Sequence, residues 1–71
     1  MLTTEERMQI RAELPHGSCY KIADMAKVPT PYVSQWFSGR INSKKIEDCV
    51  IMLIVDERRE REEKMKSAGI L

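Results

Sequence analysis

Apolar positions fall into four groups along the chain, separated by short polar or turn-forming stretches. In residues 3–14, Ile10 and Leu14 form an i, i+4 apolar pair among charged neighbours, while Met8 belongs to no clear face. Thr3, followed three residues later by Glu6, has the form of a capping box. This predicts a first helix that stops at Pro15-His16-Gly17. Ser18 then serves as the cap of a second helix, on which Ile22, Ala23 and Ala26 make a narrow apolar face with two small residues. Lys27 and Val28 mark a tight corner. Thr30 precedes a proline, which disfavours the α region for it. The expected third helix therefore has Thr30 as N-cap and Pro31 at its first position, where a missing N–H costs nothing. Val33, Trp36 and Phe37 lie at i, i+3 and i+4 on one face of that helix. Gly39 sits where a helix would end in a left-handed turn.

The fourth group is the longest. Asn42 or Ser43 is the expected cap. Ile46, Cys49, Val50, Leu53 and Ile54 follow the i, i+3, i+4, i+7, i+8 spacing of one core-facing stripe. Ile51, Met52 and Val55 are apolar too and point the other way. A strand is conceivable from the β-branched content of residues 49–55, but the strong helix formers on both sides favour a helix. A helix apolar on every face must be buried on every face. A second copy packing on Ile51, Met52 and Val55 across a two-fold axis would achieve that; so would a tail folding back. That tail, residues 56–66, is a charged helical extension. Glu57–Arg61, Glu60–Lys64 and Glu62–Lys66 are favourable i, i+4 pairs. Ser67-Ala68-Gly69 ends it, and Ile70 and Leu71 are expected to fray. Together these elements predict an all-α fold. It is a small four-helix helix-turn-helix domain, with the helix pair in residues 1–45 and a long, charged C-terminal helix in residues 46–71. With 71 residues the chain holds one small domain and one core.

The second and third helices carry a resemblance. Ile22-Ala23-Asp24-Met25-Ala26-Lys27-Val28, followed by Tyr32-Val33-Ser34-Gln35-Trp36-Phe37-Ser38-Gly39, resembles the DNA-binding unit of phage-repressor-like (Xre/Cro type) and lactose-repressor-like transcription factors. Two positions depart from that pattern. Lys27 stands where these families place a corner glycine, and Pro29 stands where a Ser or Thr cap is usual. A non-glycine residue in the left-handed corner costs roughly 1 kcal/mol, tolerable within a fold stability of roughly 5–15 kcal/mol.

The resemblance implies a recognition helix over about residues 31–38. It matches Thr30, Pro31 and Gln35 to base-reading positions, Ser34 to a phosphate contact and Tyr20 to a residue that touches DNA. The chemistry fits. Gln35 has the donor and acceptor to bond an adenine edge twice, and the methyl-bearing Thr30 or the apolar Pro31 suits a thymine methyl. Tyr32 joins these as a further source of sequence choice. Free N–H groups at a helix start receive phosphates, and Ser18, Tyr20 and Lys21 add polar groups there. Ser38, Arg40, Asn42, Lys44 and Lys45 supply further backbone contacts just beyond the recognition helix. Trp36, at helical spacing from Val33, reads as core rather than as a stacking platform for single strands.

Charge changes this picture modestly. The net charge is +1, so the whole chain does not announce nucleic acid. Its distribution is uneven, with seven basic and four acidic side chains through Lys45, then five and seven. The positive field lies with the helix pair. No apolar run is long enough to span a membrane and no signal-peptide pattern is present, so the expected location is the cytoplasm. Cys19 and Cys49 lack histidines at ligand spacing and do not make a zinc site. His16, the one histidine, lies in a turn without a partner carboxylate or nucleophile. There is no glycine-rich phosphate loop, carboxylate pair or metal-ligand cluster. The expectation is neither an enzyme nor a cofactor or small-molecule binder. It is a homodimeric regulator, most simply a repressor, that reads double-stranded DNA. The rival reading is a protein-interaction or phage structural module on the same fold, with the apolar fourth helix as its working surface.

Overall fold

A computed structural model describes residues 1–69, in which four helices and no strand occur: α1 (Thr4–Glu13), α2 (Ser18–Ala26), α3 (Thr30–Phe37) and α4 (Lys44–Ser67). The expectation for Ile70 and Leu71 lies outside the described residues. The stretch 49–55 is helical throughout.

Caps fix the ends of each helix. Thr3 Oγ1 accepts the Glu6 N–H at 3.2 Å, and the Glu6 carboxylate accepts the Thr3 N–H at 2.9 Å, so the capping box closes as the sequence predicts. The bond from the Thr3 backbone is the main reason the Glu6 carboxyl is held below its ordinary range. Gly17, not Ser18, is the N-cap of α2, at φ +86°. Only glycine enters that left-handed conformation cheaply, so the turn begins one residue earlier than the serine suggested. Lys27 does occupy the left-handed corner, at φ 57° and ψ 47°. The Val28 N–H closes the corner onto Ala23 O at 3.0 Å.

The third helix also starts a residue early. Pro29 is its N-cap, Thr30 its first residue and Pro31 its second. All first-turn N–H groups lack an intrahelical partner, so Pro31 fits the second position as well as the first. At the other end, Gly39 is left-handed at φ +84°. Its N–H bonds Trp36 O at 3.1 Å and the Arg40 N–H bonds Gln35 O at 2.9 Å, the bonding pattern of a Schellman motif. A Cβ at Gly39 would lie 2.6 Å from Thr4 Oγ1, so close approach of α1 also demands glycine there. Ser43 is the cap of α4, its Oγ accepting the Ile46 N–H at 3.3 Å.

The core forms where the predicted stripes meet. Ile22, Val33, Trp36, Phe37, Ile46 and Val50 are fully buried, with Ile10, Ala23, Ala26 and Ile54 completing the cluster. Helix α2 packs on α3 and α4, and α1 packs on α3. Trp36 and Phe37 meet edge to face, their centroids 5.2 Å apart. Ala23 and Ala26 are buried on α2, the helix that packs on α3, and side chains this small suit a close approach of helices.

One charged residue joins this core. Arg7 is only 3% exposed. Its guanidinium lies 4.3 Å from the Trp36 ring centroid. It donates to Trp36 O at 2.7 Å, Asn42 Oδ1 at 2.9 Å, Leu2 O at 3.0 Å and Ile41 O at 3.3 Å. The buried Glu47 carboxylate accepts the Leu2 N–H at 2.6 Å. The Leu2 backbone thus sits between a buried cation and a buried anion. Arg7, counted above within the basic field of the helix pair, therefore contributes no exposed charge.

The tail does not fold back. Helix α4 runs unbroken to Ser67, and Ile51, Met52 and Val55 stay 41%, 59% and 46% exposed. Of the three expected intrahelical pairs, Glu57–Arg61 forms at 3.8 Å; the other two do not close among the described residues. Arg58 instead bridges Glu13 at 2.9 Å, and Arg61 donates to Glu13 O at 3.0 Å. Both contacts tie the tail to the end of α1. No helix of the described chain is long and apolar enough to cross a membrane.

Candidate nucleic-acid interface

Burial of Val33, Trp36 and Phe37 decides what α3 presents. These three are fully buried, which turns the rest of the helix outward. Pro31, Tyr32, Ser34 and Ser38 are exposed, and Thr30 and Gln35 are half-buried. Among the described residues the Gln35 side-chain amide makes no hydrogen bond, so its donor and acceptor remain available to a ligand. The Ser38 hydroxyl donates to Gln35 O at 3.0 Å and keeps its own acceptor capacity.

A groove of about 420 Å³ runs between the α1–α2 turn, the start of α2 and α3. Tyr20, Thr30 and Ser34 line it together with Arg11, His16 and Gly17. Four expected contact residues from two helices, Ser18 among them, thus border one concave surface. Tyr20 and Thr30 also border a neighbouring depression with Asp24 and Lys27. Tyr20, 71% exposed, stands as the wall between the two.

Several expected contacts are engaged within the fold or lie elsewhere. Ser18 is buried and its Oγ donates to Pro15 O at 2.6 Å. Its hydroxyl closes the turn and is not offered to a phosphate. Lys21 is exposed but faces the other side of α2, where it lines a depression with Asp56, Glu57 and Glu60. That acidic surround sets it apart from the groove. Asn42 is exposed, yet its Oδ1 accepts from Arg7, leaving only its amide donors free. Arg40 is exposed just beyond the left-handed glycine. Lys44 and Lys45 are exposed in the first turn of α4, not in a loop.

Among the groove residues outside the expected set, two carry basic side chains. Arg11 is exposed with its guanidinium carbon 5.6 Å from the Phe37 ring centroid, which leans it over α3. Its i+4 spacing from Arg7 on α1 was the available signal. His16 lines the same groove; nothing in the sequence distinguished it from any solvated turn residue. Arg11, His16, Tyr20 and Ser34 together offer a cation, an imidazole and two hydroxyls to one ligand. Cys19 and Cys49 are free and half-buried.

No protein-family model matches the chain, and no curated protein and no solved structure matches it. The class that the geometry defines is a small all-α domain, in which three short helices pack with one long helix.

Proposed function

We propose that the chain is a sequence-specific double-stranded DNA-binding protein of the cytoplasm that regulates transcription, most simply as a repressor. Helix α3 enters the major groove. Thr30, Pro31, Tyr32 and Gln35 meet base edges, and Gln35 supplies the paired donor and acceptor that adenine requires. Tyr20, Ser34, Ser38, Arg40 and Lys44 hold the flanking phosphates. Arg11 joins them from α1. The observation that carries this reading is the division of α3 into a wholly buried apolar face and an outward face of groups able to bond bases and phosphates.

The modest positive field supplies affinity through phosphate contacts, which makes binding steeply dependent on salt. Fluorescence anisotropy of a labelled random duplex pool, titrated at a low and a high salt concentration, tests the proposal. Binding that weakens as salt rises is expected; no binding at low salt removes it. A second reading rests on the exposed Ile51, Met52 and Val55, which suit a protein-interaction module that reads no DNA. Replacing Gln35 and Arg40 by alanine separates the two, since only a DNA reader loses activity.

A further inference from the structure

The exposed face of α4 lies opposite its buried stripe of Ile46, Val50 and Ile54. At 100° per residue, Lys45, Asp48, Met52, Val55, Arg59 and Glu62 recur on that face at alternating steps of three and four. This is the spacing of a seam that meets another helix. The helix also continues well past Ile54, its last buried residue, as far as Ser67. On the side of its own domain, the polar contacts of that extension with another helix among the described residues are those of Arg58 and Arg61 with Glu13. Among the described residues the seam side stays exposed.

We infer that this face pairs two copies of the chain antiparallel, about a two-fold axis passing between Met52 and Val55. In that register Met52 meets Val55 of the partner subunit, with Ile51 flanking them. One step outward, Asp48 meets Arg59 of the partner subunit. A further step outward, Lys45 meets Glu62 of the partner subunit. The two-fold axis repeats every contact, so an apolar centre is bracketed on both sides by opposite charges. A parallel pair would set each residue against its own copy, placing Asp48 against Asp48 of the partner subunit and Arg59 against Arg59 of the partner subunit. The charge order therefore selects the antiparallel arrangement.

The four charged side chains are free to serve it. Lys45, Asp48, Arg59 and Glu62 are exposed, and the ion pairs found within the described chain engage Arg58 with Glu13 and Arg61 with Glu57 instead. Lys45 belongs to this seam and not to the phosphate contacts. The pairing does not rest on DNA reading, and its test contains no DNA, so either can fail alone.

Sedimentation equilibrium of the full chain at roughly 0.2 mM, a concentration at which micromolar dimers are well populated, reads the mass directly. The expected mass is twice the 8.3 kDa of one chain. Asp48→Lys sets like charges against Arg59 of the partner subunit in both copies and raises the dissociation constant roughly tenfold. Arg59→Glu alone does the same by facing Asp48 of the partner subunit. The combined exchange D48K/R59E restores opposite charges and returns the constant to within about threefold of the original. Met52→Lys abolishes the dimer, and unchanged helical circular dichroism shows that each variant folds. A mass of one chain for the wild-type protein overturns the inference. So does a dimer indifferent to Asp48→Lys, or a double exchange no tighter than the single ones.

Discussion

Replacing Arg7 by methionine removes a buried guanidinium while keeping most of its volume. In the folded chain this group donates to Trp36 O, Asn42 Oδ1, Leu2 O and Ile41 O, at 2.7 to 3.3 Å. Bonds from a charged donor contribute about 1.5–3 kcal/mol each, but desolvating the cation costs several kcal/mol. The acceptors are not all stranded by the change. Trp36 O keeps the Gly39 N–H, and Asn42 is exposed to water. The main net losses are the tie to Leu2 and the link between α1 and the end of α3. We expect Arg7→Met to cost about 2–4 kcal/mol, against about 4–10 kcal/mol for a domain of this length. Urea unfolding followed by Trp36 fluorescence and circular dichroism measures it. With a slope of about 1 kcal/mol/M, the midpoint falls by at least about 2 M. Arg7→Lys falls between the two, since a single ammonium cannot fan out to four acceptors. A midpoint unchanged in Arg7→Met would refute the reasoning, because burial and bonding would then cancel and α3 would owe its position to apolar packing alone.

Two further outcomes follow from the same geometry. Gly39→Ala costs about 1 kcal/mol for the left-handed backbone, and up to about 3 kcal/mol once its Cβ meets Thr4 Oγ1. Thermal melts should show a smaller loss in a Thr4→Ala background; an equal loss would mean that the close approach is not felt. Replacing Arg40 and Lys44 by alanine weakens binding to all duplexes alike and lowers the slope of log affinity against log salt by about 2. A changed base preference in that variant would count against phosphate roles for these two.

Much of the fold was legible because local and long-range preferences agree. The Thr3–Glu6 box, the stripe of α3 and the Gly39 turn needed no tertiary information. The starts of α2 and α3 were each misplaced by one residue. Ser18 and Thr30 have good capping chemistry, but Gly17 and Pro29 could cap as well, and only packing decided between them. Arg7 and Glu47 were the larger omissions. A charged residue reads as solvent-facing until a neighbouring backbone is seen to need it. The one hint was that Arg7 stands three residues before Ile10 and seven before Leu14, on the core-facing line. Within the candidate site, the outward set of α3 followed from its apolar spacing alone. Ser18 and Lys21 did not follow: the Ser18 hydroxyl closes a local turn onto Pro15 O, which its capping chemistry did not announce, and the acidic neighbours of Lys21 lie on α4, distant in sequence.

Selection of bound sequences from a random duplex library, run in parallel with the wild-type chain and Gln35→Ala, tests the central claim most directly. The wild-type chain should enrich a defined motif, and the variant should lose preference at the adenine-bearing position while still binding DNA. Enrichment of no motif, or the same motif from both proteins, would contradict α3 as the reader of base edges.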